Sequence, residues 1–203
     1  MRHLVDNDIV LKLARLKLLN DAAEALGLAP DNTRRLGALP YIAKRNLKNE
    51  PDVLKTVLEF CDTYPAISGG EDDPKLLAEI SRSPKIDGGE ARLFAIAAGD
   101  KNVVVITGDK RSVVALAEER KLRAVAGRIE GRIELLETVV KRLIEAKGFE
   151  VIRQHVLRRL DVDQTLAVAF DTQESDAETH CLGALASEVA RIEKVHSGLI
   201  RAR

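Results

Sequence analysis

Three acidic residues, Asp6, Glu90 and Asp109, each stand at a junction between a predicted strand and a predicted helix, or in the first turn of such a helix. Carboxylates that meet at one point repel each other unless a cation neutralises them. Hard divalent cations such as Mg²⁺ and Mn²⁺ choose oxygen ligands, and a metal-bound water can attack a phosphodiester. The residue types therefore predict an acidic metal site with hydrolytic chemistry, provided that the fold brings the three side chains together.

The elements around these acids predict a parallel α/β sheet. Residues 3–6 read as a short buried strand, and residues 103–106 are β-branched throughout, as in a strand buried on both faces. A helix over residues 91–98 precedes this second strand, and another follows it up to about residue 119. Strands and helices that alternate with short links favour a parallel sheet. Ligands of such sheets bind beyond the carboxyl ends of the strands, where two of the three acids fall.

Outside this unit the pattern is mainly helical. Apolar spacing and Gly/Pro breaks predict a weak strand over residues 36–39, helical segments over 9–26, 53–60, 76–80 and 129–143, and one further candidate strand over 165–170. A soft boundary near residue 130 divides the chain into an α/β domain of residues 1–130 and a mainly helical extension of residues 131–203.

The same acids have a simpler interpretation, which stays open. Asp6 and Asp109 have the position of helix N-caps, and the Asp87 to Glu90 spacing is that of a capping box. Caps do not need the glycines that stand beside these acids, such as Gly108. Acids at three junctions of one parallel sheet therefore favour a shared site over separate caps.

Composition excludes several classes of function. The 203 residues carry 32 basic and 32 acidic side chains, so any contact with nucleic acid must come from a local patch. Aromatic residues make up 3% of the chain and Trp is absent, which argues against base-stacking platforms of the RRM or OB kind. The two cysteines, Cys61 and Cys181, lack zinc-ligand spacing and fit a reducing, cytoplasmic compartment. No apolar stretch has the length of a membrane span or forms a signal segment.

Three short segments together resemble the PIN-like nuclease superfamily, which includes the toxins of many bacterial toxin–antitoxin pairs. They are residues 4–8 (Leu-Val-Asp-Asn-Asp), 86–91 (Ile-Asp-Gly-Gly-Glu-Ala) and 105–111 (Val-Ile-Thr-Gly-Asp-Lys-Arg). In that family the first strand ends in Asp-Thr-Asn, a later helix begins with an acid, and the fourth strand ends in Thr-x-Asp. Asp6, Glu90 and Asp109 match the three acids, Thr107 matches the threonine, and Asp8 stands where the asparagine would be.

The resemblance implies a PIN-like three-layer α/β sandwich with a central parallel sheet, followed by the helical extension. It also implies a Mg²⁺- or Mn²⁺-dependent endoribonuclease of the cytoplasm, with RNA as its substrate and with a protein antitoxin and a second copy of the chain as partners. Asp6, Glu90 and Asp109 would be the catalytic metal ligands. Asp8 and Asp87 would be further ligands, direct or through water.

The sequence departs from the family in the second helix. Many PIN domains place a Glu there, whereas this chain has Lys44 and Arg45. Either Asp8 or Asp87 supplies the missing carboxylate, or activity is weak. The two cations are interpreted either as a phosphate-binding pair or as an ordinary solvated helix face. Lys110 and Arg111 stand at a helix N-terminus, where they would steer a substrate phosphate, assisted by Thr107, or serve as surface charges.

Two other functions compete with the nuclease. Residues 6–11 (Asp-Asn-Asp-Ile-Val-Leu) resemble the first motif of haloacid-dehalogenase-like phosphatases, in which Asp6 would be the covalent nucleophile and Asp8 the acid/base. Position 113, however, is Val where that family has a second acid. The third hypothesis is a non-catalytic PIN-like module, and the missing acid of the second helix motivates it.

Overall fold

The protein is an α/β structure built on one four-stranded sheet. The computed structural model describes residues 1–171 and 176–201, so residues 172–175 and 202–203 of the predicted extension lie outside the described residues. All neighbouring strands are parallel, in the order β2-β1-β3-β4. The strands are β1 (Arg2–Val5), β2 (Thr33–Arg35), β3 (Val103–Thr107) and β4 (Ile133–Leu135). The predicted α/β class with a parallel sheet is confirmed.

Helices connect the strands and form the C-terminal part of the chain. They are α1 (Asn7–Arg15), α2 (Leu19–Ala25), α3 (Leu39–Asn46), α4 (Pro51–Thr63), α5 (Pro74–Ile80), α6 (Gly88–Gly99), α7 (Lys110–Glu118), α8 (Arg123–Ile129), α9 (Leu136–Lys147), α10 (Phe149–Leu157), α11 (Gln164–Phe170) and α12 (Ala177–Glu193). A 3₁₀ turn at Arg120–Leu122 precedes α8.

Successive residues of the central strands face two different hydrophobic layers, because side chains alternate along a strand. In β3, Val104 and Ile106 pack in the layer that contains helices α1–α4 and α9–α12. Val103 and Val105 pack in the layer that contains α5–α8. The molecule therefore has a helix–sheet–helix arrangement, and the apolar run over residues 103–106 is buried on both faces as predicted.

Two predictions for the C-terminal third are wrong. Residues 133–135 form β4 rather than the start of a helix, and residues 165–170 belong to α11 rather than to a strand. β4 has only three residues, too few to show a period of two. In α11, Asp163 accepts hydrogen bonds from the amides of Thr165 and Leu166, which caps a helix whose apolar run resembles a strand.

The segments before β3 also differ from the prediction in detail. The helical stretch over 9–26 is two helices separated at Lys17, whose φ is 56°. The predicted strand over 36–39 lies earlier, at Thr33–Arg35, and α3 begins at Leu39 with Pro40 in its first turn, where proline is favoured. The predicted helices over 53–60 and 76–80 are present as α4 and α5.

The sheet continues past residue 130, where the sequence suggested a boundary. β4 pairs with β3, and Ile200 forms a bridge to Ile133 from beyond α12. Residues of α9–α12 share one hydrophobic layer with α1. The C-terminal helices thus complete the layer that covers the sheet. None of the helices in the described parts of the chain is long and apolar enough to cross a membrane.

Candidate active site at the carboxyl edge of the sheet

Strands β1 and β3 bring Asp6 and Asp109 to the same edge of the sheet. Val5 is in register with Ile106, and the Asp6 amide donates to the Ile106 carbonyl at 2.9 Å. The Thr107 hydroxyl donates to Asp6 Oδ2 at 3.0 Å and accepts from the Asp109 amide at 3.1 Å. Thr107 is buried, so it positions the two acids, and the substrate contact proposed for it is not available to its hydroxyl in this arrangement.

Four acids of the site, Asp6, Asp87, Glu90 and Asp109, also take part in helix capping. Asp6 Oδ1 accepts from the Asn7 amide at 2.7 Å, and Asp109 Oδ1 accepts from the Arg111 amide at 2.8 Å. Asp87 and Glu90 form a reciprocal capping box, with both hydrogen bonds at 2.8 Å. The capping interpretation is therefore confirmed. It does not exclude a shared site, because helices that follow parallel strands start at the edge where ligands bind.

Burial and mutual repulsion raise the pKa values of two of these acids. Glu90 is 6% exposed, and burial together with the charges of Asp109, Asp87 and Asp6 raises its pKa to about 8. Asp6 is 5% exposed, and burial together with the charges of Asp8 and Asp87 raises its pKa to about 6, against the opposing hydrogen bond from Thr107. The five predicted acids therefore act on one another electrostatically, as a common site requires.

Asp109 differs from Asp6 and Glu90 because it has a cation beside it. Arg111 donates through Nη2 to Asp109 Oδ2 at 2.9 Å and through Nε to Oδ1 at 3.3 Å. Burial would raise the pKa of Asp109, but the hydrogen bonds and charge of Arg111 outweigh it and lower the pKa. The Arg111 side chain is 87% exposed, so this pair is open to solvent.

Asp8 is held by a lysine that sequence reasoning missed. Lys12 Nζ lies 2.8 Å from Asp8 Oδ2 and 3.0 Å from Asp163 Oδ2, and it donates to the Gly108 carbonyl at 3.2 Å. A Cβ at position 108 would lie 2.6 Å from Asp8 Oδ2, which explains the glycine. The i, i+4 spacing of Asp8 and Lys12 on one helix could have indicated this pair; nothing in the sequence linked Asp163 to it.

Lys110 faces the C-terminal helices and is already paired. Its Nζ lies 2.8 Å from Glu137 Oε1 and 3.6 Å from Glu188 Oε1, and it donates to the Thr165 hydroxyl. Glu137 is buried, so Lys110 is the counterion of a buried carboxylate. The expectation that Lys110 steers a substrate phosphate does not match these contacts.

The structure does not bring Lys44 and Arg45 to the acids. Both are exposed in the last turn of α3, and Arg45 donates to the Asn46 side chain at 3.3 Å. Among the described residues neither forms an ion pair with a carboxylate. Their contacts match the solvated helix face rather than a phosphate pair at the acidic edge.

A cleft of about 740 Å³ opens at this edge, with acids on its wall and cations around them. Its lining comprises Pro84, Lys85, Asp87, Glu90, Asp109, Lys110, Arg111, Val114 and Arg191. Within the described ranges, no three His, Cys, Asp or Glu side chains are arranged to hold a metal ion. The donor set nevertheless fits a hard divalent cation, because it is made of carboxylate oxygens only.

The contacts of Asp6 bear on the phosphatase alternative. Both of its oxygens accept hydrogen bonds, from the Asn7 amide and the Thr107 hydroxyl. It is buried and is not among the residues that line the cleft. A covalent nucleophile has to reach the phosphorus, so this arrangement disfavours the haloacid-dehalogenase mechanism.

Comparison of the chain with protein-family models, with curated proteins and with solved structures found no match.

Proposed function

We propose that this protein is a Mg²⁺- or Mn²⁺-dependent endoribonuclease of the PIN-like type. One observation carries the proposal: Asp6 and Glu90 are buried at the ligand-binding edge of a parallel sheet, and no described cation pairs with either of them. Buried carboxylates without a counterion are costly. A site that gathers them beside an open cleft is therefore suited to a cation that comes from outside the chain.

Two residues of the cleft would hold such an ion. Glu90 and Asp109 line the cleft, and Asp6 lies behind them, tied to Asp109 through Thr107. Asp87 lines the cleft as well and is fixed by the capping box. When bound, the ion supplies Lewis acidity and a water of lowered pKa for attack on a phosphodiester.

The cations around the cleft suit a substrate with several phosphates. Lys85, Arg111 and Arg191 line it together with the acids. Arg111 is exposed and reaches Asp109 without being buried against it, so it can turn to a substrate phosphate once another cation takes the carboxylate. RNA as the substrate, a protein antitoxin and a dimer of the chain rest on the PIN-like resemblance and belong to the same proposal.

The experiment compares purified wild type with Glu90→Gln and Asp109→Asn on a fluorescent single-stranded oligoribonucleotide in Mn²⁺. We expect each substitution to slow cleavage by about 100-fold or more, because each removes a charged ligand. Glu59→Gln, at an exposed position of α4, is the matched control and should cleave as wild type does. Titration calorimetry with MnCl₂ should show binding to wild type and weakened binding to both site variants. Equal cleavage by Asp109→Asn and wild type would eliminate the site.

A further inference from the structure

One aromatic ring of this protein stands apart from the others. The chain has four Phe and two Tyr, all of them among the described residues, and five of the six rings are buried. Tyr41 is 76% exposed. Phe60 and Tyr64 contact each other, as do Phe149 and Phe170, whereas Tyr41 has no ring contact in the described structure. A large exposed ring on a stable helix has no role in packing.

Tyr41 lies on a helix whose exposed side is basic. Lys44 and Arg45 follow it at i+3 and i+4 on α3, and Lys48 comes just after the helix; all three are exposed. Residues at these spacings share a helix face. No carboxylate of the described chain forms an ion pair with the three cations. We call Tyr41, Lys44, Arg45 and Lys48 the α3 patch.

The α3 patch is a local excess of positive charge on a chain with no net charge. Between Asp31 and Glu50 the sequence contains no acid and five basic residues. Two of them are used internally: Arg34 and Arg35 donate to backbone carbonyls. Glu50, the next acid, is bound by Arg15 and Arg159. The three cations of the patch are therefore uncompensated and available to an anionic partner.

The patch starts beside the proposed active site. Helix α3 follows β2, which neighbours β1, so α3 begins near the sheet edge that carries Asp6. Leu36, just before α3, packs against Gly89, the neighbour of Glu90: a Cβ at position 89 would lie 2.9 Å from Leu36 Cδ1. From there Tyr41 and the three cations extend over two helical turns, roughly 10 Å.

We propose that the α3 patch binds single-stranded RNA, with an unpaired base stacked on Tyr41 and the backbone phosphates on Lys44, Arg45 and Lys48. An exposed ring among cations suits a strand with free base faces and regularly spaced charges. A duplex hides its base faces, and an acidic peptide gives the ring nothing to stack on. That this strand is the substrate of the cleft rests on the proposed function; the binding itself does not.

The test is fluorescence anisotropy with a fluorescein-labelled single-stranded oligoribonucleotide of mixed sequence, in EDTA so that no cleavage occurs. Tyr41→Ala should weaken binding by about 5- to 100-fold, the usual effect of losing one stacked base. Tyr41→Trp should retain or improve the affinity. Val168→Ala removes another exposed apolar side chain, on α11, and should leave the affinity unchanged.

A salt titration tests the cations separately. The triple variant Lys44→Gln, Arg45→Gln, Lys48→Gln should flatten the slope of log Kd against log salt by about 2, because each phosphate contact with a single strand contributes about 0.7. The matched control replaces three exposed lysines elsewhere by Gln, at positions Lys75, Lys101 and Lys121, and should keep the wild-type slope.

Several results would overturn the proposal. They are an unchanged affinity in Tyr41→Ala, an unchanged slope in the triple variant, tighter binding of a duplex RNA of equal length, or equally effective competition by poly-glutamate. The outcome for the metal site is independent of the outcome for the α3 patch. If Tyr41→Ala loses RNA binding while Glu90→Gln cleaves RNA normally, the patch stands and the site falls. If Tyr41→Ala binds like wild type while Glu90→Gln loses cleavage, the reverse holds.

Discussion

Two regions of this molecule bury carboxylates and treat them in opposite ways. Near β4, Glu134 is paired with Arg142 and lies 3.5 Å from Arg201, and Glu137 is paired with Lys110. At the cleft, Asp6 and Glu90 are also buried, but their partners are backbone amides and one hydroxyl. Only the first region balances the charge of its acids with cations of the described chain.

The difference separates acids whose charge is balanced within the chain from acids whose charge is not. A buried ion pair is complete without a ligand, and breaking it leaves an uncompensated charge. Asp6 and Glu90 have no such partner cation in the part of the chain that the structure describes, and their raised pKa values express the cost of ionising them where they are buried. Capping by itself does not require a buried carboxyl group, because a capping carboxylate at an exposed helix start ionises in water at no such cost. Four experiments probe the contrast, in order of decreasing effect.

The largest effect is expected at the buried ion pair between Glu134 and Arg142. Arg142→Met should lower the free energy of unfolding by about 3 kcal/mol, since it removes a cation that pairs with the buried carboxylate of Glu134. Glu90→Gln should not lower stability at pH 7.5, because the amide keeps the capping hydrogen bond and removes repulsion. Urea denaturation measures both values, with Arg158→Met, at an exposed position, as the control. If Glu90→Gln were the more destabilising change, the proposed difference between balanced and unbalanced buried carboxylates would be wrong.

Stability should also depend on pH through Glu90. Its pKa is raised from 4.5 to about 8, so the folded state binds more protons than the unfolded chain between these values, and stability falls as pH rises through this window. From pH 6.5 to 8.5 wild type should lose stability relative to Glu90→Gln, by an amount on the order of 1–2 kcal/mol. Added Mn²⁺ should abolish the loss. If the free energy of unfolding of the two proteins in EDTA changed in parallel with pH, Glu90 would not be the cause of the pH dependence.

A smaller effect is expected beside the paired acid of the site. In Gly108→Ala the new methyl group would lie 2.6 Å from Asp8 Oδ2, and Lys12 restrains that carboxylate. We expect a loss of about 1–2 kcal/mol in the free energy of unfolding. The double variant Asp8→Ala, Gly108→Ala should be no less stable than Asp8→Ala alone. An additive double-mutant cycle would place the cause elsewhere.

The smallest effect concerns the exposed cation on Asp109. Arg111→Gln removes a competitor for that carboxylate and should tighten Mn²⁺ binding two- to fivefold in calorimetry, a modest change because exposed pairs are weak. Arg191→Gln, also in the lining of the cleft, serves as the control because Arg191 pairs with Glu188 rather than with Asp109. Weaker Mn²⁺ binding in Arg111→Gln would show that Arg111 supports the ion rather than competing with it.

Local patterns predicted the elements that are long or clearly punctuated. The β-branched run at 103–106 and the capping box at Asp87 and Glu90 both stand as expected. The predictions were wrong for segments whose local sequence has no clear periodicity. β4 is too short to show a period, and its Glu134 is a polar residue in a buried strand, where it pairs with Arg142 and Arg201. Arg142 lies in α9 and Arg201 lies after α12, so the residues next to Glu134 in the sequence do not predict that this acid is buried in a strand.

The candidate site divides in the same way. The positions of Asp6 and Asp109 follow from the sequence, because a parallel strand ending in an acid delivers that acid to a known edge, and Glu90 follows from the capping box at the start of α6. The charge state of the site does not. Whether a carboxylate there is paired depends on which cations reach it from distant elements. Lys12 reaches Asp8 and Asp163, Lys110 reaches Glu137, and Arg111 reaches Asp109.

The α/β class, the sheet edge that carries Asp6 and Asp109 and the caps at the helix starts follow from the sequence alone, because these depend on periodicity and on residues close together in the chain. Which carboxylates are neutralised, and that Tyr41 faces solvent near three exposed cations, is visible only in the folded chain. Those outcomes depend on distances between residues far apart in sequence and on burial, which has no meaning before the chain is folded.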